Sequence, residues 1–175
     1  MHFQYPLESL ARRRAAVDQL AFAREAHGML ADSDEVMSQP LSHGLAIFAA
    51  HEDALEGTRS VLRDLYGDFV QVRPPKVRYM PGMPAHEPIM HVRVSTRREH
   101  AVVLVAELKR RGARVLEECL RSRVFIVRAE APLAALLGLP ARLDEMTHGL
   151  AQHSIRLVRY APIQGDPHGT DPPAA

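Results

Sequence analysis

The order of hydrophobic periodicities between residues 87 and 160 constrains the fold of this chain more than any other feature. Apolar and polar residues alternate over residues 90–95, which predicts a strand with one apolar face. The apolar residues of that face are Met90, Val92 and Val94. Residues 101–108 instead carry apolar side chains at helical spacing and lead into a basic last turn and Gly112, which is typical of a helix C-terminus.

The remainder of this region completes an α+β unit. Two segments, residues 114–119 and 124–129, are predicted strands joined by a polar turn. A broken helical region over residues 133–143 and a last strand over residues 155–160 follow. The order strand, helix, strand, strand, helix, strand is the split β-α-β arrangement of ferredoxin-like folds. We therefore predict an antiparallel sheet with helices on one face and the other face open.

The first half of the chain is also predicted to be an α+β unit. Its predicted elements are a long helix over residues 7–30, a buried strand over 44–50, a helix over 51–66 and a strand over 70–79. Gly67 is placed to end the second helix. Because proline cannot donate to a sheet ladder, Pro74 and Pro75 confine the last strand to a sheet edge or a bulge.

Two segments without apolar periodicity divide the chain. Residues 80–86, MPGMPAH, contain two prolines and a glycine and are predicted to be a stiff linker. Residues 164–175, QGDPHGTDPPAA, have too few large apolar residues to offset the entropy of ordering and are predicted to be a disordered tail. We therefore expect one domain at residues 1–79 and a second at residues 87–163.

The charge of the chain is unevenly distributed. Residues 1–86 contain 9 basic and 11 acidic residues, whereas residues 87–160 contain 13 basic and 8 acidic residues, so their net charges are −2 and +5. The second unit is therefore suited to a polyanionic partner, although an arginine-rich solubilising surface explains the same excess.

Several classes of function are disfavoured by the sequence. No apolar run is long enough for a membrane span and no signal peptide is recognisable, so we expect a cytoplasmic protein. The single cysteine, Cys119, is expected to be a small apolar filler near a strand end. The ten histidines show no HExxH or comparable metal-binding spacing, and His148 and His153 are expected to be exposed. Ser154 beside His153 lacks the geometry of a catalytic pair, so we expect neither an enzyme nor a bound cofactor.

Residues 87–160 resemble the C-terminal domain of translation elongation factor G. The residues that carry this resemblance are Glu87-Pro88-Ile89-Met90 with Val92 and Val94, Arg110-Arg111-Gly112, Arg128-Ala129-Glu130 with Pro132-Leu133, Leu137-Gly138, Thr147 with Gly149, and Tyr160. The first unit is more faintly similar to the ferredoxin-like middle domain of the same factor. That second match rests on Leu62-Arg63, Tyr66-Gly67, Val70, Val72, Pro75, Val77 and Tyr79. The resemblance implies two ferredoxin-like units.

The chain also departs from this family. It contains no GxxxxGK[ST] motif, which supplies the backbone N–H groups, Lys and hydroxyl that hold nucleotide phosphates and Mg²⁺, so we expect no GTP hydrolysis. After Thr147 and Gly149 the family usually continues with Arg-Gly, whereas this chain has Leu150-Ala151. The loss of a cation and a flexible glycine weakens the expectation that this loop binds what the family's loop binds.

Cations on the second unit are the candidate contacts to RNA or the ribosome. The candidate residues are His91, Arg93, Lys109, Arg110, Arg111, Arg121, Arg123 and Arg156. His91, Arg93 and Arg156 are predicted on the open sheet face and the others at helix and hairpin ends, where they reach phosphates without reading sequence. The alternative is that these cations are solvated and paired with Glu117, Glu118 and Glu130. Stacking on RNA bases is not expected, because Phe125 is the only aromatic residue of the third strand.

Three functional hypotheses follow from these observations. The first is a stand-alone relative of the elongation factor G C-terminal region that lacks the GTPase domain and binds the ribosome or ribosomal RNA. The second is a protein-interaction module that binds a separate GTPase or a second copy of itself through a sheet face or edge. The third is a paralogue that has lost its role. The sequence does not determine the oligomeric state.

Overall fold

The computed structural model of the chain describes residues 3–15 and 18–163. These residues form two antiparallel sheets, each packed against helices, and the predicted α+β ferredoxin-like class is confirmed. The predicted disordered tail, residues 164–175, lies outside the described residues. None of the helices in the described ranges combines the length and the apolar character that a membrane crossing requires.

The first unit is a β-α-β-β-α-β arrangement with a short additional strand. Its elements are β1 (Leu7–Arg13), α1 (Gln19–Met29), β2 (Val36–Leu41), β3 (Gly44–Ala49), α2 (Glu52–Tyr66), β4 (Val70–Val72) and β5 (Lys76–Val77). The sheet order is β2-β3-β1-β4, and β5 pairs with β1. The central strands are therefore β3 and β1, and β4 lies at an edge as predicted from its prolines.

The prediction of one helix over residues 7–30 is wrong. The first half of that segment is β1, in which Leu7, Ser9 and Ala11 are buried at alternate positions. The helix begins only at Gln19, because the Asp18 carboxylate caps it by accepting the backbone N–H groups of Leu20 and Ala21. The alanine and arginine content favoured a helix locally, but pairing with β3 and β4 provides partners for the backbone of residues 7–13.

Two further differences concern strands near prolines. The predicted strand over residues 70–79 is interrupted at Pro74 and Pro75 and becomes β4 and β5. Strand β2 was not predicted, because Ser38, Gln39 and Pro40 interrupt its apolar pattern. Because β2 is an edge strand, Pro40 needs no second ladder partner, and the strand is stable beside β3.

The second unit follows the predicted order of elements. These are β6 (His86–Arg97), α3 (Ala101–Arg110), β7 (Arg114–Arg121), β8 (Val124–Pro132), α4 (Leu133–Leu136), α5 (Leu139–Thr147) and β9 (Gln152–Pro162). The sheet order is β7-β8-β6-β9, with β6 and β8 at the centre. The predicted linker is shorter than expected, because β6 already begins at His86.

The helices cover one face of this sheet. Met90, Val92 and Val94 are fully buried, as the alternation predicted, and Leu104 and Leu108 of α3 are buried with them. Burying side chains of this size contributes about 1.5–3 kcal/mol each. The residues of β6 that lie between these buried ones consequently point to the opposite face of the sheet, which is its polar surface.

Hydrogen bonds join the two units where α2 begins. Glu52 Oε2 accepts the Gly138 N–H at 2.8 Å, and His153 Nε2 lies 2.8 Å from Asp53 Oδ2. Burial raises the pKa of Glu52, and the hydrogen bond from Gly138 opposes this shift. The expectation that His153 is exposed is wrong, since only 15% of its side chain is accessible. The first and second units therefore touch through named side chains and not only through residues 80–86.

Candidate nucleic-acid interface

The open face of the second sheet is formed by every second residue of its strands. In β6 these positions alternate with the buried residues, and Arg93 and Arg97 are exposed while His91 is half-buried. Directly opposite residues of antiparallel neighbours place their side chains on the same face. The register of β6 with β8 and β9 therefore shows which charges are neighbours.

Two arginines face each other at the centre of this surface. Arg93 of β6 is directly opposite Arg128 of β8, and both side chains are exposed. Arg128 donates to Glu117 Oε2 at 2.9 Å, whereas Arg93 has no ion-pair partner among residues 3–15 and 18–163. Like charges at directly opposite positions oppose sheet formation. The pair is therefore a local concentration of positive charge that only one carboxylate offsets.

A third exposed arginine lies one row away. Arg156 of β9 is directly opposite His91, and Glu130 of β8 is opposite His91 on the other side. Glu130 accepts hydrogen bonds from Arg114 at 2.9 Å and Arg159 at 3.0 Å. The hydrogen bond from Arg159, and to a smaller extent the one from Arg114, lowers the pKa of Glu130. This carboxylate is therefore occupied by other cations, and Arg156 has no ion pair within the described part of the chain.

More arginines gather at the end of the sheet where β7 turns into β8. Arg121 and Arg97 flank Val124 in a cross-strand row. The Arg98 N–H donates to the Arg123 carbonyl at 2.9 Å, which holds these two residues together. We refer to the exposed arginines of the sheet and its hairpin end that do not pair with Glu130 as the arginine face. It consists of Arg93, Arg97, Arg98, Arg121, Arg123, Arg128 and Arg156.

The cations at the end of α3 have different environments. Lys109 is exposed, and Arg110 is exposed but donates two hydrogen bonds to Glu107 at 2.6 and 2.9 Å. Arg111 is 13% exposed; it donates to Glu107 at 2.7 Å and to the carbonyls of Ala135 and Leu137 at 3.0 and 2.9 Å. The bonds from Arg110 and Arg111 lower the pKa of Glu107 to about 2 against burial of the carboxylate. Arg111 is thus bound internally and is not part of the arginine face.

The predicted candidates are therefore not one cluster. His91, Arg93 and Arg156 lie together on the open face, Arg121 and Arg123 lie at its hairpin end, and the α3 cations lie apart. The sequence interpretation missed Arg97, Arg98 and Arg128, although Arg128 has the same strand parity as the exposed residues of β8. The strand period was a signal for Arg128, but only the β6–β8 register shows that it faces Arg93.

The open face offers no platform for stacking bases. Phe125 is 6% exposed and points into the core between β8 and α3. Besides guanidinium groups, the face presents His91, the carboxylates of Glu117 and Glu130, short polar groups, and the aliphatic side chains of Val124 and Ile126. Within the described ranges, no group of three or more His, Cys, Asp or Glu residues is arranged to hold a metal ion. The chemistry of the site is therefore ionic and suits phosphate groups in preference to bases or metals.

Comparison with known proteins connects this unit to a protein family. The sequence profile described as "Elongation factor G C-terminus" matches residues 85–170. Elongation factor G 2 of Hahella chejuensis is 36% identical over 75 residues, which are 43% of this chain and 11% of that protein. Elongation factor G of Granulibacter bethesdensis is 32% identical over 77 residues, or 44% of this chain and 11% of that protein.

A solved structure extends the similarity of fold to the first unit. A crystallised protein from Thermus thermophilus superimposes with a TM-score of 0.66 and 15% sequence identity, covering 90% of this chain and 41% of its own. At this identity the match shows the fold alone. The aligned segment spans about one ninth of the length of the curated elongation factors.

Proposed function

We propose that this chain, in which residues 85–170 match the elongation factor G C-terminus, binds ribosomal RNA on the ribosome through its arginine face. The family relation connects the chain with translation. The finer proposal of RNA binding is supported chiefly by one observation, the directly opposite arginines Arg93 and Arg128. Placing two guanidinium groups side by side on a sheet costs stability unless an anion binds between them.

The spacing of the arginine face suits a polyanion. Neighbouring strands lie about 4.8 Å apart and alternate residues along a strand about 6.8 Å apart, so Arg93 and Arg97, two such steps apart on β6, place charges about 13.6 Å apart on a rigid sheet. Guanidinium groups donate in a planar fork that matches phosphate oxygens. Because the surface lacks exposed aromatic rings, the proposed contacts are to the phosphate backbone and carry little sequence preference.

Binding to ribosomes should depend steeply on salt. We expect the full chain to co-sediment with ribosomes at about 50 mM potassium chloride and to be released at about 200 mM, because each phosphate contact releases counterions. The variant Arg93→Gln with Arg156→Gln should bind more weakly and reduce the slope of log K against log salt by roughly 1–2. The measurement is the bound fraction after sedimentation across a salt series.

A matched double variant on helices provides the control. Arg24 of α1 and Arg142 of α5 are exposed and lie outside the arginine face, and Arg142 pairs with Glu145. The variant Arg24→Gln with Arg142→Gln loses the same charge and should bind like the wild type. Failure of the wild type to co-sediment at both salt concentrations would contradict the proposal, as would equal weakening by the two double variants.

Further parts of the proposal follow from the family relation. We propose a cytoplasmic location, and we assign residues 1–79 and 87–163 to two domains joined by residues 80–86, the first corresponding to the middle domain of elongation factor G. The 175 residues contain no GxxxxGK[ST] motif. In this proposal these residues bind RNA and do not hydrolyse GTP.

An exposed edge strand favours a second candidate function. Strand β7 lies at the sheet edge, and its Leu116 and Leu120 are 45% and 50% exposed. Such an edge can accept a strand of another protein, for example of a GTPase partner. Affinity capture with this chain, repeated after nuclease digestion, distinguishes the candidates. Capture of ribosomal proteins that disappears after digestion supports RNA binding, whereas a GTPase retained after digestion supports the protein partner.

A further inference from the structure

Four arginines converge at one end of the first sheet, in the unit that carries net negative charge. Arg12 and Arg13 end β1, Arg14 follows them, and Arg73 follows β4. Together with Gln71 they line a cavity of about 370 Å³. The charge total of residues 1–86 conceals this cluster, because the acidic residues of the unit lie elsewhere along the chain.

The pairing of β1 with β4 determines which of these side chains are neighbours. Arg12 is directly opposite Gln71, and the Arg73 N–H donates to the Leu10 carbonyl at 2.9 Å, which continues the same ladder. Ala11 is fully buried, so its neighbours Leu10 and Arg12 point to the face away from the core. Because opposite residues share a face, Arg12, Gln71 and Arg73 lie on that same open face.

The backbone under the cluster is held in place by side chains. The Gln19 amide accepts the Arg13 N–H at 3.1 Å and donates to the Arg13 carbonyl at 2.7 Å. Ser9 Oγ donates to the Arg73 carbonyl at 2.6 Å, and the Arg14 N–H donates to the Phe69 carbonyl at 2.7 Å. The backbone of Arg13, Arg14 and Arg73 is therefore held by the fold before any anion binds, so binding does not bear the entropy cost of ordering that backbone.

No carboxylate among the residues that the structure describes forms an ion pair with the cluster. Within the described residues none of the four arginines has an Asp or Glu oxygen within 4 Å. Asp18 is used as the cap of α1. Asp68 lines an adjacent concavity with Arg14 without forming an ion pair. Four guanidinium groups with no counterion in residues 3–15 and 18–163 repel one another at one end of the sheet and attract an anion.

From these observations we infer that the Arg12–Arg73 cluster binds the phosphodiester backbone of RNA, as a second contact separate from the arginine face. Arg12 and Arg73 lie in successive rows of the sheet, about 6.8 Å apart along the strand direction, so they suit consecutive phosphates better than one small anion. The inference rests on the proposed function only in the identity of the RNA. The four cations bind a polynucleotide whether or not the ribosome is its source.

The test uses the full chain and a fluorescein-labelled polyuridylate of about 20 nucleotides, longer than a typical single-strand site. We expect Arg12→Gln with Arg73→Gln to weaken binding about tenfold in fluorescence anisotropy and to reduce the salt slope by about 1.4, the value for two lost contacts to single-stranded RNA. The matched control, Arg24→Gln with Arg142→Gln, should lower the affinity less than about twofold. Equal affinities and slopes for the two double variants would overturn the inference.

Two further variants separate charge from folding. Arg13 and Arg14 are exposed, so Arg13→Gln with Arg14→Gln leaves the buried face of β1 intact and should weaken binding in the same direction. Arg12→Lys with Arg73→Lys keeps the charges and should retain the wild-type salt slope while losing the planar fork. Thermal unfolding of each variant shows whether the fold is preserved. If Arg12→Gln with Arg73→Gln does not fold, unchanged binding by Arg13→Gln with Arg14→Gln overturns the inference.

The source of the phosphate and the proposed function are tested separately. Millimolar inorganic phosphate should displace no more RNA than chloride does at equal ionic strength. Greater displacement by phosphate would indicate that the cavity binds a free phosphate compound and would overturn the inference. If the double variant Arg12→Gln with Arg73→Gln binds both ribosomes and polyuridylate as strongly as the wild type does, only this inference fails. If wild-type chain binds polyuridylate through these arginines but does not bind ribosomes, only the proposed function fails.

Discussion

Replacing Glu107 with alanine should lower the free energy of unfolding by about 2–4 kcal/mol, because it removes one member of a buried ion pair. Glu107 is 6% exposed and accepts bonds from Arg110 and Arg111. Arg111 is 13% exposed and joins the end of α3 to the carbonyls of Ala135 and Leu137. Without the carboxylate, this guanidinium keeps its carbonyl partners but loses its counterion. Urea unfolding monitored by circular dichroism measures the effect.

The matched control is Glu117→Ala. Glu117 also pairs with an arginine at 2.9 Å, but 53% of its side chain is exposed, so its loss should cost less than about 1 kcal/mol. Equal destabilisation by the two variants would contradict the structural role assigned to Glu107. The exposed partner Arg110 should likewise tolerate alanine, since Arg111 still neutralises the carboxylate.

Acid should reveal the same interaction in the wild-type chain. The pKa of Glu107 is about 2 in the folded chain against an ordinary value of 4.5, so the pair contributes its full stability above about pH 4.5 and loses it as the pH falls toward about 2. Linkage makes this loss roughly 3 kcal/mol. Unfolding free energies measured across this range should fall more steeply for the wild type than for Glu107→Gln. Parallel curves would show that the carboxylate has its ordinary pKa.

Replacing Gly44 with alanine should destabilise the chain by about 2–5 kcal/mol, through a disfavoured backbone conformation and a steric clash. Gly44 begins β3 with a φ of 144°, which residues with a side chain rarely adopt. A Cβ there would lie 2.5 Å from the Ala11 carbonyl oxygen and 3.0 Å from Arg12 Cγ. The carbonyl belongs to the central strand β1, so it cannot move without disturbing the sheet. The midpoint of thermal unfolding measures the loss.

Gly57→Ala is the control for this prediction. Gly57 lies inside α2 and is exposed, and an alanine methyl group at this position would meet no neighbouring atom within 4 Å. Alanine should therefore stabilise the helix by about 0.5–1 kcal/mol. A Gly44→Ala variant that unfolds at the wild-type temperature would show that β1 and β3 can separate at this point. The Gly44→Ala substitution also displaces the Arg12 side chain, so weaker binding of polyuridylate should accompany the loss of stability.

Local patterns were most informative where apolar spacing was regular. The second unit was predicted in the right order because Met90, Val92 and Val94 alternate and α3 has a clear apolar face. The same reasoning failed for residues 7–13, where β1 is rich in alanine and arginine and the buried positions have a period of two. Helix propensity outweighed that period in the sequence interpretation, whereas pairing with β3 and β4 outweighs propensity in the folded chain.

The sequence by itself determined the class of the fold, the excess positive charge of residues 87–160 and the residues that face away from the β6 core, because these depend on composition and on the period of one strand. Only the tertiary structure decided which cations become neighbours. Register between strands places Arg128 opposite Arg93 and Arg12 opposite Gln71. Hydrogen bonds to the carbonyls of Ala135 and Leu137 hold Arg111 away from the arginine face. Such neighbours lie far apart along the chain, and their proximity is fixed by long-range pairing that no local pattern encodes.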